Sequence, residues 1–445
     1  MLAYGKAKVL SSRDDGLQRP YKHSDMLSRA SSRLSAVSKT LTSSLSVQQL
    51  RHKSHAMESS LDPLTGFWKP NALKGLYYGS GTVKDHLLSC LPTENSKAFI
   101  ITGASLTNKT PCIKQIEDLL SSKHHAGTFS NIKEHAPVAQ LDEATSKVQE
   151  DSSIDTIISV GGGSPIDSAK AISYRVNEKS GHFLTHIAIP TTLSAAECTP
   201  MAGYTKEDGV KTGIADPNVY PSFIIYDSAF ALHTPPSLFA STGVRALDHA
   251  VELQYHPTAT AMPCQWMCLQ AIQDLFSNLP KYKQNPKDEQ TITKLFLAAF
   301  ASLGFLGGNT KGGLGLSHTM GYALGSPYGI PHGITSCMTL GHVVKLKAKG
   351  NPKDAVAVAK ILPYVPGGHQ SSGDKLKDAE VVGDAILKLV SDLGFKTTLT
   401  EKGVGKDQVD IIVGRATGGL SGKEGKSEQE LKMVNGIKGM VENLY

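Results

Sequence analysis

A strand that runs straight into three glycines and a helix start is the feature that most limits this chain. The stretch VGGGSPIDSAK spans residues 160–170. Gly161, Gly162 and Gly163 remove every Cβ where an anion would approach the backbone. The helix start then offers unpaired N–H groups and the positive end of its dipole. Ser164 is expected to cap that helix, with Pro165 in its first turn and Asp167 near its positive end. The pattern is neither GxGxxG nor a Walker loop, which needs Gly-Lys-Ser/Thr at the helix start. Without a ligand, the same residues would make an ordinary flexible turn.

The surrounding pattern predicts a parallel sheet. Apolar runs at 97–102, 156–160, 186–189 and 223–226 alternate with helical stretches, and the first three end at Gly or Pro. Such alternation builds a sheet covered on both faces. Thr191 and Thr192 follow the third run, where hydroxyls face the ligand crevice of such sheets. The turn at Gly79-Ser80-Gly81 invites the same reading more weakly. After about Pro235 strand-like runs fade. Helical patterns take over at 247–255, 268–279, 293–305, 356–362 and 380–393, and a Pro-, Gly- and Ser-rich loop spans 364–374. The expected organisation is a tail over 1–60, an α/β dinucleotide-binding domain over 61–234 and a helical substrate domain over 235–445.

Composition narrows the partners. The chain has 445 residues, enough for two domains, and a formal charge of +6. Residues 1–56 hold ten Lys or Arg, three Asp, no Glu and twelve Ser. They carry +7, which leaves −1 for the rest. A neutral body argues against nucleic acid as partner. No apolar run approaches the roughly 20 residues that span a bilayer. The basic, Ser-rich, acid-poor start reads as a transit peptide, a tail, or an unused upstream start before Met57. Location is therefore expected to be cytoplasmic or mitochondrial. Six scattered cysteines form no zinc-type array and fit a reducing compartment.

GGGSPIDSAK followed by PTTLSAAE resembles the iron-type alcohol dehydrogenases. The resemblance runs from about Gly66 to the end. It includes GVRALDHAVE at 243–252, GGLGLSH at 312–318 and YGIPHG at 328–333. Within the family the chain is similar to the maleylacetate reductase branch, through HAPV at 135–138, ECTP at 197–200, KTG at 211–213, YHPTA at 255–259 and GFKTTLTEKGV at 394–404. The resemblance implies the dehydroquinate synthase-like fold: an α/β dinucleotide-binding domain, then an all-α domain. It also implies NADH or NADPH, a small-molecule substrate between the domains, and a homodimer. In NAD-preferring relatives an Asp follows the first strand; Gly103 stands there here, so both cofactors should serve.

Metal-holding members use one Asp and three His. His249, His318 and His332 match the histidines. The Asp position, four residues before His249, is Arg245, whose guanidinium has no lone pair for a metal. Asp248 lies about 100° round the helix from His249 and looks a poor substitute. A metal-free site follows, with His249, His318 and His332 as the ligands if a metal binds. Tyr322 replaces a histidine of many relatives, as a proton donor or as a packed tyrosine. The expected chemistry is hydride transfer between NAD(P)H and a carbonyl or activated double bond. Hydrogen bonds from His249, His318, His332 or Tyr322 would polarise the substrate, and Arg245 would hold a substrate carboxylate. The alternatives are a metal-dependent alcohol dehydrogenase, a nucleotide-binding protein without turnover, and a dehydroquinate-synthase-like lyase.

Overall fold

The apolar runs do become strands, and they pair in parallel. The computed structural model describes residues 67–133, 136–205 and 211–445. The transit-peptide and start-site expectations, and part of the 135–138 motif, fall outside the described residues. Six strands form one sheet: β1 (Gly75–Gly79), β2 (Lys97–Ile101), β3 (His125–Phe129), β4 (Ile154–Gly161), β5 (Thr185–Pro190) and β8 (Phe223–Asp227), in the order β1-β8-β5-β4-β2-β3. Every pairing in it is parallel. A separate antiparallel hairpin joins β6 (Met201–Thr205) to β7 (Lys211–Ala215).

Helices cover the sheet. They are α1 (Thr82–His86), α2 (Ala104–Lys109), α3 (Cys112–His124), α4 (Val138–Glu150), α5 (Gly163–Ser180) and α6 (Ser228–Ala231). The chain leaves β2 for the edge strand β3, then returns to the other side of β2 as β4. That reversal opens a crevice at the carboxyl ends of β2 and β4. Gly103 follows β2 and the three glycines close β4, so the two turns flank it.

From Pro236 onward the described elements are helices: α7 (Pro236–Glu252), α8 (Trp266–Gln284), α9 (Glu289–Leu303), α10 (Leu316–Tyr328), α11 (His332–Gly350), α12 (Pro352–Ala359), α13 (Lys375–Leu393), α14 (Val409–Ala416) and α15 (Glu428–Glu442), with a π-helical turn at Ala261–Gln265 and short 3-10 turns between others. None of the described helices is long and apolar enough to cross a membrane. All six cysteines are buried and unpaired, which fits the reading of a chain without disulfide staples.

One apolar core spans both halves. Leu193, Ile224 and Tyr226 from the sheet side pack with Phe239, Val244, Leu275 and Phe296 from the helices. Tyr226 stacks on Phe296 at 4.7 Å, and Phe239 meets Phe296 edge-on at 5.5 Å. The Tyr226 hydroxyl donates to Glu197 at 2.6 Å. Beside it, the buried Lys170 ammonium donates to the carbonyls of Ala196 (2.5 Å) and Met201 (2.7 Å). Lys170 thereby fastens α5 to the turn after β5 and to the hairpin.

Two expected roles change. Asp167 does not serve the helix start; its carboxylate accepts from the Gly203 N–H at 3.1 Å and lies 3.4 Å from Lys170. At the Gly79–Gly81 turn the Gly81 amide is already taken. The Asp227 carboxylate accepts from Gly81 N–H (3.0 Å) and Val83 N–H (2.9 Å), filling the place an anion would take.

His186 on β5 hydrogen-bonds Ser159 on β4 at 2.8 Å within the sheet. Burial, with the Lys170 cation nearby, pushes its pKa down to about 3. The unfolded chain therefore binds the extra proton between pH 6.5 and 3. The stability that neutral His186 contributes is complete above 6.5 and falls on acidification. The stability difference between wild type and His186→Asn should shrink by roughly 1.4 kcal/mol per pH unit below 6.5. Urea unfolding at pH 7, 6 and 5 reads this; a constant difference would contradict it.

Candidate active site

The glycine turn is shaped by contacts as much as by ligand access. Gly161 has φ +135°, a conformation that side chains rarely adopt. A Cβ at Gly162 would lie 3.2 Å from Thr192 Cγ2, and one at Gly163 3.4 Å from Ser194 Oγ. The helix starts two residues earlier than expected. Gly162 is the N-cap, with no side-chain hydrogen bond, and Ser164 sits in the first turn. The reason is steric: glycine at the cap lets the β5 loop close over it. No side chain caps the first-turn amides, so they remain available to a phosphate.

Thr191 and Thr192 are buried beside this turn, and Thr191 N–H bonds the Gly161 carbonyl at 2.9 Å. Gly103 is the N-cap of α2, where a Cβ would meet the Ile132 carbonyl at 3.2 Å. The cofactor-binding set named from sequence thus gathers at one crevice, except for Asp167.

The second half of the site is one stripe of α7. Every residue from Phe239 to Glu252 is buried, so polar groups on this helix must find partners inside the protein. Arg245, Asp248, His249 and Glu252 fall at i, i+3, i+4 and i+7, on one face. Arg245 Nη1 donates to Ser336 Oγ at 3.3 Å and lies 3.9 Å from Asp248. Asp248 accepts from the hydroxyls of Ser317 (2.8 Å) and Ser336 (2.7 Å). Glu252 accepts from the Ser317 N–H and from His318 Nδ1, both at 2.7 Å. The polar stripe therefore grips the start of α10.

Glycines let α10 approach. A Cβ at Gly315 would strike Glu252 Oε1 at 2.6 Å. One at Gly321 would crowd Arg245 Nη1 and Thr335 Oγ1, each at 3.2 Å, with His332 Nδ1 at 4.0 Å. So Arg245 and His332 border the same spot on α10. His249 and His318 face each other with ring centres 4.8 Å apart, and Tyr322 meets His332 edge-on at 6.0 Å. Tyr322 is half exposed, not packed beneath the site. All five catalytic candidates from sequence lie on α7, α10 or α11.

The histidines differ in charge preference. Burial, then the nearby His318 and Arg245, pushes His249 well below its ordinary pKa, so it is neutral. Burial and Arg245 also push His318 down, but Asp248 and Glu252 outweigh them and leave it raised. Burial would lift Asp248, yet His318 and Arg245 hold it below the ordinary range.

Among the described residues, the group whose ligand-type atoms lie within 4.8 Å of one another is Asp248, Glu252 and His318. This is not the trio of histidines named from sequence. One residue from His249 in sequence, Asp248 is expected to be a poor substitute ligand; the helix instead turns it toward Glu252 and His318. Glu252 is not among the candidates drawn from the sequence. Its signal is the spacing from Arg245, Asp248 and His249, a polar stripe on an apolar helix.

With this geometry in place, comparison with known proteins gives the class. Residues 74–228 match the family model of iron-containing alcohol dehydrogenase, and 239–434 match the C-terminal model of the same family. The chain belongs to the iron-containing alcohol dehydrogenase family, whose members are nicotinamide-dependent oxidoreductases. It is 27% identical to a maleylacetate reductase of Sphingobium indicum over 332 residues, covering 75% of this chain and 85% of that protein. It is 26% identical to alcohol dehydrogenase 4 of Schizosaccharomyces pombe, covering 82% and 86%. The solved maleylacetate reductase of Agrobacterium tumefaciens shares the fold, with a TM-score of 0.68 and 22% identity over 86% of this chain and 99% of that one.

The glycine cradle yields a direct test. Gly162→Val should raise the dissociation constant for NADH at least about tenfold, because the side chain meets Thr192 and fills the phosphate approach. Quenching of NADH fluorescence on titration measures it. Unchanged affinity in a folded variant would contradict the cradle.

Proposed function

We propose that this chain is a metal-independent NAD(P)H-dependent reductase of a small carboxylate-bearing substrate, in the manner of maleylacetate reductase. The observation that carries the reading is Arg245 at the position where metal-holding relatives place an aspartate. Its guanidinium lies 3.3 Å from Ser336 Oγ, beside Asp248 and below Gly321. A cation with no lone pair repels a divalent ion and attracts a carboxylate. The metal ligand set therefore does not fit, and no step is assigned to a metal.

The dinucleotide does fit. The uncapped start of α5 takes the pyrophosphate, and the Thr191–Thr192 corner borders the nicotinamide end. Bound NADH or NADPH supplies a hydride to a carbonyl or activated double bond. Arg245 anchors the carboxylate and so fixes which atom faces the hydride. His318, charged between Asp248 and Glu252, gives the Nε2 proton to the atom that gains electrons, and keeps Nδ1–H on Glu252. His249 stays neutral and is available to donate a hydrogen bond to developing negative charge. Tyr322 and His332 line the exposed side of the same spot.

Arg245→Ala should raise KM for an oxo-dicarboxylate by about tenfold or more, while KM for NADH stays within about twofold. Steady-state kinetics decide, and an unchanged dicarboxylate KM would remove the anchoring role.

Gly103 carries no carboxylate to repel a 2′-phosphate, so both cofactors should serve. The ratio of kcat/KM for NADH and NADPH is expected to be well under about a hundredfold, or 2.8 kcal/mol. A larger preference for NADH would contradict the assignment of Gly103.

A further inference from the structure

We propose that Glu252 is the positioning residue for His318: it fixes the ring's orientation and keeps the proton on Nδ1, so that Nε2 alone exchanges a proton with substrate. The inference rests on the reading of His318 as proton donor and adds the residue that makes it one.

Glu252 is fully buried at the last position of α7. Both carboxylate oxygens are committed to the start of α10. Oε1 accepts from Ser317 N–H at 2.7 Å, and Oε2 accepts from His318 Nδ1 at 2.7 Å and His318 N–H at 3.4 Å. His318 is therefore gripped by the same carboxylate at its backbone and its ring. A carboxylate opposite Nδ1 can only accept, so Nδ1 carries hydrogen in every protonation state of the ring. His318 Nε2 is buried and has no hydrogen-bond partner among the described residues. That is the arrangement a proton-transferring histidine needs: one nitrogen tied, the other kept for substrate.

Asp248 is the weaker neighbour of Nδ1. Its Oδ1, which has no other hydrogen-bond partner among the described residues, lies 3.5 Å from His318 Nδ1, against 2.7 Å for Glu252 Oε2, while its Oδ2 is occupied by two serine hydroxyls. Gly315 confirms the fit from the other side, since any Cβ there would collide with the Glu252 carboxylate.

Glu252→Gln separates positioning from scaffolding. The amide oxygen can still accept from Ser317 N–H, which preserves the grip on α10. The amide N–H would face His318 Nδ1 and force the hydrogen onto Nε2. The expected result is a fall in kcat of about tenfold or more, with KM for NADH within about twofold and unfolding temperature close to wild type. Long-range ¹⁵N–¹H NMR of histidine-labelled wild-type protein, followed to a pH high enough for the ring to lose one proton, should show His318, assigned by its loss in His318→Asn, as the Nδ1–H tautomer. Wild-type His318 in the Nε2–H form would overturn the proposal even if the Gln variant does not fold. So would a folded Glu252→Gln variant with wild-type kcat. Full activity of His318→Asn would overturn the proton-donor reading itself, a different outcome from either.

Discussion

Burying a guanidinium in the middle of a helix forces the organisation of this site. Arg245 sits on α7 where every neighbour along the helix is buried. An interior cation must be balanced and hydrogen-bonded, or it costs several kcal/mol. Asp248 and Ser336 meet it on the protein side. Asp248 and Glu252 then set two carboxylates beside His318 and Arg245, on one face of α7 and at the start of α10. The same arrangement underlies the proposed chemistry: a cation for an anionic substrate, a histidine held for proton transfer, and Arg245 beside the Asp248, Glu252 and His318 group, where its charge opposes a divalent ion.

The cluster needs the two halves of the molecule to be registered. The shared core does this, through Tyr226 against Phe296 and Leu193 against the start of α7. Leu193 N–H also bonds Thr242 Oγ1 at 3.0 Å, and Thr234 Oγ1 bonds the Thr191 carbonyl at 2.8 Å. These bonds tie the loop that flanks the cofactor turn to the helix that carries Arg245. The proposed cofactor turn and the proposed substrate cation are thereby linked by hydrogen bonds between the two halves.

Much of this was readable from residues alone, for physical reasons. Strands β2, β4, β5 and β8 are buried on both faces and so appear as unbroken apolar runs. The edge strand β3, HAGTF, and the β6–β7 hairpin are only partly covered, and their sequences carry no such run. The triple glycine was legible because positive φ at Gly161 and close contact at Gly162 allow no side chain. Its cap was misplaced by two residues, since serine is the commoner cap and only the fold shows Thr192 pressing on Gly162. The sequence puts Asp167 at the helix start and gives Asp227 no role, because a lone carboxylate does not reveal which distant N–H it will meet. Glu252 sat in plain view at a helical spacing from Arg245, but its partner is 66 residues away.

The central claim is that Arg245 has replaced metal chemistry with carboxylate recognition. The most direct measurement is turnover of an oxo-dicarboxylate with NADH after exhaustive chelation, with metal counted in the same sample. The account predicts undiminished kcat in protein holding far less than one metal ion per chain. Activity that vanishes on chelation and returns with a divalent ion would contradict it.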